Sequence, residues 1–183
     1  MTDETWNDAP YYLLSLAVHR SRRYHSKMQY FNQSINDTFS ALNAVLGAGA
    51  FMSLIGGDGT MIAKILIGTV ALFSAVDSVV GFGKKAAIYG ELAGKFTELA
   101  AKMEIWAATP DNLQLAKAER LRIEKDEPPI KRLIDLEARN EEMRSRGYGA
   151  DQMVPLSKWQ RRFGYIMTFG LGRLEKWDDA KPA

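Results

Sequence analysis

Residues 38–57 read TFSALNAVLGAGAFMSLIGG, a run of 20 residues without a charged side chain. At about 1.5 Å of rise per residue, a helix of this length spans roughly the 30 Å hydrocarbon core of a bilayer. A glycine-containing turn follows, and residues 65–83, ILIGTVALFSAVDSVVGFG, form a second apolar run. Together the two runs predict a transmembrane helical hairpin over residues 36–84.

The second run is the weaker of the two, because it contains Asp77 and is preceded by Lys64. Its uninterrupted apolar stretch covers only residues 65–76, which is short enough for a buried core helix. An alternative is therefore a soluble or membrane-attached all-α scaffold protein, in which both apolar helices form the centre of a bundle and no pore is made. The chargeless first run and the cations that flank it favour the membrane.

Length and composition exclude several classes of protein. A chain of 183 residues has room for one domain, and the absence of cysteine excludes disulfides, thiolate catalysis and cysteine-based metal sites. The net charge of +2 gives no general basic field, so we expect no binding to nucleic acid. The first apolar run begins too far into the chain for a cleaved secretory signal, and we expect it to remain in the product.

The distribution of charge predicts an orientation in the membrane. Cations flank both runs on the side away from the connector: Arg20, Arg22, Arg23, Lys27, Lys84 and Lys85. The connector, GGDGT, carries only Asp58. By the positive-inside rule, both termini are predicted to be cytoplasmic and the protein to lie in the inner (plasma) membrane.

Outside the hairpin, the pattern predicts an all-α fold within a single domain, residues 1–183. Residues 11–35 read as an amphipathic leader helix that runs straight into the first span, with Tyr24, Met28 and Phe31 at helical spacing. No proline occurs from Met61 to Thr109, so we expect one long second helix to continue into the cytoplasm. Its cytoplasmic part has an apolar stripe that needs a partner: Ala87, Leu92, Phe96, Leu99, Met103 and Trp106.

The rest of residues 85–183 is predicted to form further cytoplasmic helices. Proline and glycine positions place helices at residues 113–127 and 130–146, and the second has a predicted interior face of Ile130, Leu133, Ile134, Leu136 and Met143. The apolar centre of the tail, residues 163–172, is too short to span a bilayer. Because Trp159 and Trp177 flank it together with basic residues, it is either a helix in the membrane interface or one packed on the cytoplasmic bundle.

No pattern typical of an enzyme is found. His19 and His25 are six residues apart and fall on different faces of a helix, which disfavours a chelating pair. Phosphate-binding and nucleophile-elbow motifs are missing, and the carboxylates between residues 119 and 127 alternate with bases, as on a solvated helix face. We therefore predict no catalytic residues, no cofactor and no metal site.

Asp77 is the ionisable residue that most suggests a function, because an acid within a span is costly and often lines a polar path. Ser74, Asp77, Ser78 and Gly81 share one helix face, and Asn43 on the first helix lies at a similar depth. These residues either line a pore or hold the helices in register. The first span also has a row of small residues, Ser40, Ala44 and Ala48, that permits close helix approach. A single hairpin cannot enclose a channel, so conduction would require a homo-oligomer.

Several segments in order resemble the SLATT family of two-transmembrane effector domains. They are RRYHSKMQYF at residues 22–31, the small-residue first span, SAVDSVVGFGKKA at 74–86, ELAGKFTELAAKM at 91–103 and ERLRIEKDEPP at 119–129. The similarity covers approximately residues 15–165.

SLATT domains are associated with synthases of nucleotide second messengers and with nucleotide sensors in prokaryotic conflict systems. The resemblance implies an effector of anti-phage defence that oligomerises in the inner membrane and permeabilises it when a partner senses infection. It also implies that catalytic residues are lacking. We expect no fused sensor domain, so a nucleotide signal would bind the cytoplasmic helices or a separately encoded sensor protein.

Overall fold

A computed structural model describes residues 8–55 and 60–167, and this part of the chain is helical without any strand. The helices are α1 (Ala9–Ile55), α2 (Thr60–Val80), α3 (Phe82–Ile105), α4 (Pro110–Glu124), α5 (Arg132–Ser145) and α6 (Lys158–Phe163). A short 3₁₀ helix, Ala150–Gln152, lies between α5 and α6. The all-α class is confirmed.

Contacts divide the chain into two compact units. Unit 1 comprises Met1–Met28 and Tyr89–Ala183, and unit 2 comprises Gln29–Ile88. Unit 2 thus contains the two predicted spans, and unit 1 contains the first part of the leader together with the helices predicted to be cytoplasmic.

Of the two longest predicted helices, one is continuous in the structure and the other is interrupted. The leader and the first span form one continuous helix, α1, as expected. The second predicted helix is not continuous, because Gly81 separates α2 from α3. Its φ of +64° lies in the left-handed region, which glycine occupies without the steric penalty of a Cβ. The pattern of apolar residues gave no sign of this interruption.

The core of unit 1 includes most of the apolar stripe that was predicted on α3, together with side chains of α1 and α4. One cluster of buried side chains joins α1, α3 and α4 through Tyr11, Leu14, Val18, Leu92, Phe96, Leu99, Ala100, Met103, Leu113, Ala116 and Ile123. Most of the predicted stripe on α3 is therefore buried, and Trp106 packs against this cluster. Ala87 is exposed and Ala86 is buried in its place. The partner that the stripe required is the start of α1 together with α4.

The interior face of α5 is also largely as predicted. Leu133, Ile134, Leu136 and Met143 are buried, whereas Ile130 is exposed because α5 begins only at Arg132. Two further clusters contain Leu133, Ile134 and Leu136. The first consists of Tyr24, Met28, Tyr89, Ile134 and Ala138, and the second of Leu133, Leu136, Val154 and Leu156.

Local chemistry explains where α4 and α5 begin and end. The hydroxyl of Thr109 accepts a hydrogen bond from the backbone N–H of Asn112 at 3.3 Å, and Pro110 occupies the first turn of α4. The predicted start at residue 113 was therefore three residues late. Past the end of α5, Gly147 adopts a φ of +83°, which is the usual conformation of a glycine that terminates a helix.

Ion pairs attach the leader part of α1 to α5. The pairs are Arg20 with Asp135, Arg23 with Glu142, and Lys27 with Glu137 and Glu141. Arg20 binds Asp135 in a bidentate manner, and its Nε donates to Asp135 Oδ1 at 2.6 Å. Asp135 and Glu142 are both buried, so each carboxylate depends on its arginine partner to compensate for lost hydration. These cations of the predicted membrane flank therefore contribute to the fold of unit 1.

His25 is a core residue of unit 1, which the sequence analysis did not predict. Its side chain is 1% exposed, and its ring stacks on Phe96 with centroids 5.3 Å apart. Its Nε2 lies 3.0 Å from Glu127 Oε1, at the end of the segment that links α4 to α5. The six-residue spacing between His19 and His25 gave no sign of this burial.

The tail prediction is only partly within the described residues. Residues 158–163 form α6, but residues 168–183, including Trp177, lie outside the described part of the chain.

Glu142 gives unit 1 a defined dependence on pH. Burial alone would raise the pKa of Glu142, but hydrogen bonds from Arg146 and Arg23 outweigh it and hold the pKa below its ordinary value of 4.5. The distances to Glu142 are 2.6 Å from Arg146 Nε and 2.7 Å from Arg23 Nε. A carboxyl whose pKa is lower in the folded state stabilises the fold above its unfolded pKa, and this stabilisation is lost as pH falls.

We predict that Glu142→Gln lowers the free energy of unfolding at about pH 7 by roughly 3 kcal/mol, because two arginines lose a buried counter-ion. Urea unfolding in detergent, followed by helical circular dichroism, measures this change. The loss should shrink as the pH falls toward about 4, where the wild-type carboxyl becomes protonated. Glu91→Gln, at an exposed surface pair with Lys95, is the matched control and should have little effect. An equal loss at both pH values would contradict the assignment.

Candidate functional site

Two helical stretches of the described chain are long and apolar enough to cross a membrane. They lie within Ala9–Ile55 and Met61–Ile105, the second of which includes α2. The core helix of a soluble protein can have the same length and composition, but it would be mostly buried. Here the apolar windows are only 6% and 0% buried. Within the described residues, neither apolar window is therefore the buried centre of a bundle.

Within unit 2, α1 and α2 contact each other in an antiparallel arrangement. The Nδ2 of Asn43 donates to Ser74 Oγ at 3.3 Å, and a Cβ built on Gly49 would lie 3.5 Å from Leu66. As residue numbers rise along α1, those of their partners on α2 therefore fall. Near one end of the pair, the ring of Phe39 stacks on Phe73 with centroids 5.4 Å apart.

The face of α1 that meets α2 is not the one that carries the small-residue row. The row Ser40, Ala44 and Ala48 is exposed, whereas Asn43 is half-buried and Ala50 is buried. Residues 43, 47 and 50 follow helical spacing, so the contact face is displaced from the small-residue row by about one position. That row remains uncovered in the single chain.

The predicted polar residues are only partly brought together. Asn43 and Ser74 are hydrogen-bonded across the helix pair, and Asp77 is half-buried one turn further along α2. Ser78 is exposed, and Gly81 is the joint between α2 and α3. We call Asn43, Ser74 and Asp77 the polar seam.

Two oxygen atoms of the polar seam lack a hydrogen-bond donor within the described chain. Asn43 Oδ1 and Asp77 Oδ1 are both inaccessible to solvent and accept no hydrogen bond there. A buried acceptor without a donor costs about 1–3 kcal/mol, so the seam weakens the contact between α1 and α2. Apolar residues at these positions would pack at a lower cost.

Gly83 permits the start of α3 to approach α1 closely beside the polar seam. A Cβ on Gly83 would lie 2.9 Å from Asn36 Oδ1, which is closer than a Cβ contact normally allows. The ring of Phe39 lies edge-on to Phe82, with centroids 5.7 Å apart. The first residues of α3 therefore pack against α1 within unit 2, directly after the joint at Gly81.

The predicted flanking cations occupy different environments. Lys84 and Lys85 are exposed and Arg22 is half-buried. The remaining three, Arg20, Arg23 and Lys27, form the ion pairs with α5 described above.

Metal-ligating side chains do not converge in the part of the chain that the structure describes. No group of three or more histidine, cysteine, aspartate or glutamate side chains is placed to hold a metal ion there. His19 lies 3.5 Å from Glu104, and His25 pairs with Glu127 instead. Burial is the main cause that lowers the pKa of His19.

Comparisons with protein-family models, with curated proteins and with solved structures found no match to this chain. The resemblance to SLATT domains therefore stays a prediction.

We predict that Gly81→Ala destabilises unit 2 by about 1–2 kcal/mol, because a Cβ is disfavoured at positive φ. Thermal unfolding in a fixed detergent measures the change. Gly68→Ala is the matched control: Gly68 lies within α2, and an added Cβ meets nothing within 4 Å. That variant should keep or raise stability, because alanine favours a helix. If Gly81→Ala raised the unfolding temperature as much as Gly68→Ala does, the left-handed conformation of Gly81 would be contradicted.

Proposed function

We propose that this protein is an integral membrane effector that oligomerises in the inner membrane and permeabilises it when triggered. The observation that carries the proposal is the exposure of the apolar faces of α1 and α2. A soluble monomer rarely exposes an apolar patch of more than a few hundred Å². Among the described residues from 42 to 80, the exposed large hydrophobic side chains are Leu42, Val45, Phe51, Met52, Leu54, Ile55, Met61, Ile62, Ile65, Ile67, Leu72, Val76 and Val79.

A bilayer accounts for this exposure without further assumptions. Fully burying one Leu, Ile, Val, Phe or Met side chain contributes about 1.5–3 kcal/mol, so leaving this surface in water is strongly unfavourable. Helices also satisfy their own backbone hydrogen bonds, which the hydrocarbon core requires. In the proposed orientation both termini are cytoplasmic, as the positions of Lys84, Lys85 and the cations of α1 support.

Permeation requires several copies, because one antiparallel helix pair encloses no lumen. The exposed row Ser40, Ala44 and Ala48 supports close packing between copies in lipid. The polar seam is the natural lining of the resulting path, because its unsatisfied oxygens, Asn43 Oδ1 and Asp77 Oδ1, would gain donors from water. A ring of aspartates favours cations over anions.

The trigger is part of the proposal through the resemblance to SLATT domains. We propose that a separately encoded sensor protein or a nucleotide second messenger releases the activity during infection, with cell death or growth arrest as the outcome. No catalytic step by this chain is needed for that role.

A second candidate is an all-α oligomeric scaffold without pore activity. It is favoured by the exposed Lys64 in α2 and by Asp77, which are both unusual within a span. In that case other copies, rather than lipid, would cover the apolar faces.

We expect the full chain, expressed in bacteria, to stay in the membrane fraction after a carbonate wash. A voltage-sensitive dye should report depolarisation during induction if the protein is active without its partner. Retention without depolarisation would indicate a partner-gated state, and coexpression with the sensor should then release the activity. Recovery in the soluble fraction without detergent would refute the membrane role and leave the scaffold.

For the conducting form, we predict that Asp77→Asn reduces preference for cations without abolishing membrane insertion, because it removes the only acid of the polar seam. In planar bilayers with a KCl gradient, the reversal potential should move toward zero. Ser78→Ala, at an exposed neighbour in α2, is the matched control and should leave the reversal potential unchanged. An unaltered conductance and reversal potential in Asp77→Asn would leave Asp77 as a packing residue.

A further inference from the structure

A second surface, in unit 1, has the composition of a membrane-interface contact. Residues 157–167 read SKWQRRFGYIM, which contains three cations and no acid. α6 begins within this segment and has a complete capping box, because Ser157 Oγ accepts from the backbone N–H of Gln160 and Gln160 Oε1 accepts from the backbone N–H of Ser157. Hydrogen bonds within the segment therefore stabilise the start of this short helix.

One side of this segment is fixed against α5. Gly164 is buried, and a Cβ there would lie 3.0 Å from Leu133 Cβ and 3.2 Å from Ile134 Cδ1. Lys131 Nζ also donates to the carbonyl oxygen of Tyr165 at 2.6 Å. These contacts define the inner side of the segment.

The exposed side chains of this segment are mostly apolar or basic. Trp159 is 68% exposed although its ring stacks on Phe163, and Ile166 and Met167 are 66% and 62% exposed. At helical spacing, Lys158 and Arg162 share one row and Trp159 and Phe163 share the adjacent row, both turned away from Gly164. We call Lys158, Trp159, Arg162, Ile166 and Met167 the basic-aromatic patch.

The cations of this segment differ in their surroundings. Arg161 lines a small cleft with Glu137, Glu141 and Arg144, so acids of α5 are near it. Lys158 and Arg162 are exposed and form no ion pair with any described residue. Within the described residues, two cations without an ion-pair partner are thus close in sequence to an exposed tryptophan.

We propose that the basic-aromatic patch binds the headgroup region of an anionic phospholipid bilayer. Tryptophan places its ring at the headgroup level, and long basic side chains reach lipid phosphates while their stems cover apolar surface. Each basic residue near an anionic membrane contributes about 1 kcal/mol. An acidic protein surface would match the cations, but not the neighbouring Ile166 and Met167. The contact is independent of any pore and goes beyond the proposed function.

The test uses the full chain, which lacks cysteine and so accepts a single label. Ile166→Cys carries an environment-sensitive fluorophore, and the protein is reconstituted in vesicles of phosphatidylcholine with or without phosphatidylglycerol. We expect a blue-shifted emission, quenched by brominated acyl chains, only in the anionic vesicles. Adding Lys158→Glu and Arg162→Glu should reduce the ratio of lipid-contacting to water-exposed label by about thirtyfold or more.

α4 offers a matched control patch. Leu121 is also 66% exposed and lies four residues from each of two exposed lysines, Lys117 and Lys125, but acids are interspersed there. Leu121→Cys should show water-like emission in both vesicles, and Lys117→Glu with Lys125→Glu should leave the label at residue 166 unchanged.

Two results would overturn the proposal. One is water-like emission at residue 166 in anionic vesicles. The other is a blue shift that follows the protein-to-lipid ratio and ignores lipid charge, because a second copy would then cover the patch. Neither result bears on membrane retention or depolarisation, so the proposed function would be judged separately.

Discussion

Within the described residues, the apolar side chains of α1 and α2 in unit 2 are largely uncovered, and this constraint governs how the protein can exist. Because their apolar windows are only 6% and 0% buried, the two helices favour an apolar surrounding such as lipid or other copies of the chain. Folding of unit 2 therefore cannot rely on the hydrophobic effect between its own helices in the way a soluble core does. In lipid, close packing and hydrogen bonds such as Asn43 to Ser74 have to hold the pair together.

Unit 1 is organised differently, around buried charge and a conventional core. Asp135 and Glu142 of α5 are buried and are compensated by Arg20 and Arg23 of α1 and by Arg146, which directly follows α5. The cations Arg20, Arg23 and Lys27 thus have a structural role besides any influence on orientation. Both roles are compatible, because the positive-inside rule counts lysine and arginine and does not count net charge. A basic segment before a span can therefore be part of a folded unit as well as a topogenic signal.

Residue periodicity predicted which helix faces are buried, because that depends on local spacing. It failed for features that depend on contacts between residues distant in sequence or on the backbone conformation of a single glycine. The burial of Leu92, Phe96, Leu99 and Met103 followed from a 3.6-residue repeat along α3. His25 was missed because its partner, Glu127, is 102 residues away. The joint at Gly81 was missed because glycine is compatible with both a helix and a left-handed turn. For the site, the sequence placed Asn43 and Ser74 at similar depth. Which face of α1 meets α2 depends on contacts with α2, so residue spacing along α1 alone could not predict it.

The polar seam is the place where unit 2 departs most from an optimal helix pair. Two buried acceptors without donors are costly, and leucine at positions 43 and 77 would avoid that cost. Such departures from local consistency are expected at functional sites. The free-energy cost of these two oxygens is removed once water reaches them, because water supplies the missing hydrogen-bond donors. In the proposed assembly, the seam therefore disfavours the dry, closed pair and favours a hydrated arrangement, so that the residues that weaken packing are also those that stabilise an open path.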